Sequence, residues 1–76
     1  MSDLQGPLAP EHWLADLFAS RAVARGQVIR RATRDVERYA AMDRFIAEVE
    51  RRGFCAVENS GQVVIFCNRA PIRRLV

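Results

Sequence analysis

Apolar side chains recur at two different periods along this chain. Between residues 10 and 25, Trp13, Leu14, Leu17, Phe18 and Ala22 fall at helical spacing and make one stripe. Pro10 suits the first turn, Glu11 complements the helix N-terminus, Arg21 and Arg25 suit the last turns, and Gly26 is a stop. Gln27–Ala32 is short and β-branched, which predicts a strand. Thr33 is placed to cap a second helix over about 34–52, with Asp35 and Glu37 in its first turn and Gly53 at its end. Phe54–Glu58 and Val63–Cys67 read as two strands of a hairpin around Ser60-Gly61. Asn68–Val76, which contains Pro71, has no period and reads as an extended basic tail.

The predicted order is α-β-α-β-β. A right-handed crossover places strands one and two in one sheet, and strand three inserts antiparallel between them. The expected fold is α+β: a three-stranded mixed sheet of order 1-3-2, split β-α-β-like, covered by a long helix. Residues 1–9 read as a flexible arm and residues 10–76 as one small domain.

The long helix carries more apolar surface than one sheet contact needs. Val36, Tyr39, Ala40, Met42, Phe45, Ile46, Ala47 and Val49 span roughly 220° of its circumference at 100° per residue. One arc (Val36, Tyr39, Ala40, Ile46) can cover the sheet. The other (Met42, Phe45, Val49) must meet the Trp13/Leu17/Phe18 stripe or another chain. Trp13, Met42, Phe45 and Val49 are therefore the candidate apolar interface, and a homodimer or another protein the expected partner.

Charge adds a second surface. All twelve basic side chains are arginine, beside eleven alanines, as a GC-rich coding bias also produces. Bias does not explain their clustering. Residues 17–34 hold Arg21, Arg25, Arg30, Arg31 and Arg34 with no acid, and Arg69, Arg73 and Arg74 are again unopposed. Antiparallel pairing of strands one and three brings Arg69, and with it Arg73 and Arg74, toward Arg21 and Arg25. Arginine suits bidentate contacts to carboxylates or phosphates, so Arg21, Arg25, Arg30, Arg31, Arg69, Arg73 and Arg74 are candidate contacts to an acidic partner or an anion. Nucleic acid is the less favoured partner, because no recognition-helix motif or interleaved aromatic platform accompanies the arginines.

Enzyme chemistry has little to stand on. His12 is the only histidine, and no nucleophile can be set beside it. Two cysteines and one histidine fall short of a metal site, and the four glycines form no phosphate-binding loop. Cys55 and Cys67 stand opposite each other if the hairpin loop has three residues, and on opposite faces if it has two or four. No cofactor is expected. The first ten residues have neither the basic start nor the apolar core of a signal peptide, and no run approaches a membrane span. A cytoplasmic protein is expected.

The run Arg34-Asp-Val-Glu-Arg38, Arg51-Arg-Gly-Phe54, Val57-Glu-Asn59 and Val64-Ile-Phe-Cys-Asn68 resembles a group of short bacterial proteins of unassigned role. The resemblance covers about two thirds of the chain. Some of that group carry the label phosphoribosylanthranilate isomerase, which implies a barrel of about 200 residues or more. Seventy-six residues cannot build one, and no catalytic residue of that family has a matching motif here. The expected role is thus a non-enzymatic binding or regulatory module with an apolar helix surface and an arginine rim.

Overall fold

In the computed structural model, which describes residues 9–76, Asn59 and Gln62 face each other across a two-residue turn. Ser60 and Gly61 at its tip both take positive φ, 51° and 77°. That conformation matches the twist of paired antiparallel strands. The turn joins β2 (Cys55–Asn59) to β3 (Gln62–Phe66), with Cys55 opposite Phe66. On the other side of β3 lies β1 (Val28–Ala32), with Val28 opposite Phe66 and Ala32 opposite Gln62. The strand order β1-β3-β2 is the expected one. Both ladders are antiparallel, so the sheet is antiparallel throughout rather than mixed. The arm expected over residues 1–9 lies, Ala9 apart, outside the described residues.

Neither predicted helix is continuous. The first divides into α1 (Pro10–Phe18) and α2 (Arg21–Ala24). Ser20 makes the division: its Oγ accepts the Val23 N–H at 3.3 Å and caps α2. The long helix divides into α3 (Thr33–Tyr39) and α4 (Met42–Arg51) around Ala41, whose φ is 73°. No glycine or proline marks that break. Packing explains it, because a straight helix cannot point both apolar arcs at the sheet. The bend turns α4 so that Phe45 and Val49 join Val36 and Ala40 in the core. Burying the two side chains is worth about 1.5–3 kcal/mol each. A β-carbon at positive φ costs about 1–3 kcal/mol, so burial wins.

Thr33 does not cap α3 as expected. Ala32 holds the cap position, and the Thr33 hydroxyl is buried without a hydrogen-bond partner among the described residues. The end of α4 follows the sequence more closely. Gly53 takes φ +75°, its N–H reaches the Glu50 carbonyl, and Phe54 N–H reaches Val49 O at 3.0 Å. These are the two bonds of a Schellman stop.

All four helices lie on one side of the sheet. The buried strand residues Ile29, Val63 and Ile65 share one face, and Leu14, Leu17, Phe18, Val23, Val36, Ala40, Phe45, Val49 and Cys67 complete the core. Phe18 stacks on Phe45 with ring centroids 6.5 Å apart and tilts against Phe54 at 6.1 Å. Trp13 stacks on Tyr39, tying α1 to α3.

Candidate interaction surfaces

Side chains alternate across a strand, so the residues between the buried ones share the opposite face. That face carries Val28, Arg30 and Ala32 from β1, Gln62, Val64 and Phe66 from β3, and Cys55, Val57 and Asn59 from β2. Across the strands they form the rows Val28–Phe66–Cys55, Arg30–Val64–Val57 and Ala32–Gln62–Asn59. No helix covers them among the described residues. Val28 and Val57 are each 46% exposed, and Arg30 is the one charged side chain of the face. The sequence contains the signal for this surface. Val63–Phe66 is apolar at both parities, as in a strand covered on both sides, while the helices of so short a chain cover one.

The apolar interface expected on the helices is placed differently. Phe45 and Val49 are 1% and 4% exposed, within the core under Phe18, so they offer no docking surface. Trp13 and Met42 are partly buried and pack against the same core. Of the two neighbours open to the Met42/Phe45/Val49 arc, the first helix is the one that covers it. Ile46, assigned to the sheet-facing arc, is instead 46% exposed, because the bend at Ala41 rotates α4.

Ile46 stands over a groove between α4 and β2. Two adjoining cavities of about 280 and 350 Å³ share Ile46 and Ala56. Phe45, Val57 and Val63 line one, and Val49 and Phe54 the other. The rim is acidic: Glu37 and Glu58 border the first cavity and Glu50 the second. None of the three has a cationic partner within ion-pair distance among the described residues. β2 is also an edge strand, so one side of its backbone is unpaired.

The two basic stretches meet through the backbone. β3 does end beside the start of β1: Cys67 N–H donates to Gln27 O at 3.1 Å and Asn68 Nδ2 to Gly26 O at 3.0 Å. Arg69, however, turns toward the end of α4, where its Nε lies 3.4 Å from Arg52 O and its chain packs on Gly53. Arg21 and Arg25 are exposed on and just after α2, and Arg30 is on the open sheet face. Arg31 points to the helix side and donates to Arg30 O at 2.6 Å. Arg73 and Arg74 stand on the exposed tail. Glu48 pairs with Arg52 at 2.6 Å and with Arg51 at 2.6 Å, and Arg44 reaches Glu11 at 3.6 Å. The Arg51 hydrogen bond, with Arg52 in support and against the effect of burial, holds the Glu48 carboxyl below its ordinary pKa.

The two-residue turn decides the cysteine geometry. Cys55 faces outward opposite Phe66, and Cys67 points into the core, so the two thiols lie on opposite faces. Burial raises the Cys67 pKa, with Arg52 partly offsetting it. His12 is exposed at the start of α1. Among the described residues no three metal-ligating side chains cluster, and no helix is long and apolar enough to cross a membrane. No protein-family profile, curated protein or solved structure matches the chain.

Proposed function

We propose that this chain is a non-catalytic association module that pairs with a second copy through the open face of its sheet. The observation that carries this reading is the outward-facing set Val28, Cys55, Val57, Val64 and Phe66, left bare by helices that all lie behind the sheet. Two such faces stack about 10 Å apart in known sheet packings. The face carries no carboxylate, so stacking buries no unpaired acid. Its single guanidinium, Arg30, is on an edge strand and can reach the rim. Three strands of five residues project roughly 250 Å², well below the ~800 Å² per partner of a standard interface. The contact therefore belongs to the weak, reversible class.

Sedimentation over a range of concentrations tests the reading. The native chain is expected to self-associate with little dependence on salt, and Val64→Glu or Val28→Glu to shift it to monomer. Cys55 should react more slowly with a maleimide as concentration rises, while buried Cys67 serves as the internal control. A chain that stays monomeric at high concentration, with Cys55 labelling unchanged, overturns the proposal. Binding of added nucleic acid that falls steeply with salt would favour the phosphate-contact reading of the arginines instead.

A further inference from the structure

The tail and the groove have complementary chemistry. Ile72-Arg-Arg-Leu-Val76 combines apolar and cationic groups, and Ile72, Leu75 and Val76 are 50%, 80% and 104% exposed. Neither Arg73 nor Arg74 pairs with an Asp or Glu among the described residues, and Arg74 Nε donates to Val76 O at 2.7 Å. The groove between α4 and β2 offers the converse: exposed Ile46 and Ala56 and half-buried Phe54 along it, with Glu37, Glu50 and Glu58 unpaired on its rim among the described residues. Beside it runs the free edge of β2, whose unpaired N–H and C=O groups can accept one more strand.

The tail does not lie in its own groove, and its exit is held. Asn68 is fixed through Nδ2 to Gly26 O and through Oδ1 to the Ala70 N–H, both at 3.0 Å. Arg69 is held at Arg52 O. Pro71 then keeps the chain extended. Residues 72–76 are all exposed, and the molecule measures 49 Å along its longest axis against 26 and 18 Å.

From this complementarity we infer that residues 72–76 of one copy lie along the groove of a second copy, as a fourth strand on the edge of its β2. On a strand Ile72, Arg74 and Val76 share one side, and with that side toward the groove Ile72 and Val76 supply apolar contacts while Arg74 meets the carboxylates of Glu37, Glu50 and Glu58. This contact borders the open sheet face at Cys55 and Val57, and its dependence on charge distinguishes it from face stacking.

Charge reversal in the full-length chain tests the contact by sedimentation at low and moderate salt. Arg73→Glu with Arg74→Glu should weaken self-association about tenfold or more at low salt, and Glu37→Arg with Glu58→Arg should do the same. All these positions are exposed, and circular dichroism and thermal melting verify that each variant folds. A mixture of the tail variant with the groove variant should associate more tightly than either alone, and the chain carrying all four reversals should recover. Val64→Glu should leave the salt-sensitive, tail-dependent component in place, which separates this contact from face stacking. Wild-type association by the tail variant, or a four-fold variant that does not recover, overturns the inference. So does a tail variant whose melting temperature falls independently of concentration, because the tail would then close on its own groove.

Discussion

Ala41 adopts φ 73° and ψ 138° although alanine is among the strongest helix formers. The strain is local, and glycine removes it without touching the core. Ala41→Gly is expected to stabilise the fold by about 1 kcal/mol, read as a higher denaturant midpoint with an unchanged slope. No residue type at 40–42 announces the bend, so single-residue preferences could not show it; the demand comes from Phe45 and Val49 downstream. Glu48 gives a second residue-level expectation. Its folded-state pKa is depressed below 4.5, chiefly by the Arg51 hydrogen bond. A depressed acid contributes stability that is present above its unfolded pKa and lost as pH falls through the folded value. Stability should therefore decline with acid below about pH 4.5. Glu48→Gln should flatten that decline and cost about 1 kcal/mol at neutral pH, both measurable by urea titration at several pH values.

At the level of elements, the stops were more legible than the interiors. Gly26 and Gly53 both end helices where the sequence places them, since each takes the positive φ that a Schellman stop requires. Gly53 has a second duty, because a β-carbon there would lie 3.0 Å from Arg69 Nε. Gly53→Ala should cost about 1–2 kcal/mol in thermal unfolding and displace the root of the tail. Ser20 caps α2 inside the span predicted as one helix, because the apolar stripe runs straight across it and masks the break. Strand existence and pairing followed from β-branched runs and the Ser-Gly turn, while the loop length that separates Cys55 from Cys67 depended on one residue of register.

For the whole molecule, the strand order was readable because a βαβ crossover and a following hairpin leave few topologies. The surfaces were less so. Apolar girth on the long helix suggested an external neighbour, but the bend spends that girth inside the core and leaves the sheet bare instead. The acidic groove joins Glu37, Glu50 and Glu58 from three elements, and sequence spacing alone places none of them together. Salt therefore provides a molecule-wide test of how association is divided. A component that survives 0.5 M salt belongs to the apolar face, and one that vanishes belongs to the arginine tail.

β3 is the last strand in the chain and the central one in the sheet. During synthesis, β1 and β2 leave the ribosome with no partner of their own, because each pairs only with β3. The helices can form early, but no ladder can close until residue 66 has cleared the exit tunnel. The sheet thus waits on the last of its three strands, and until that strand is made the other two stay unpaired.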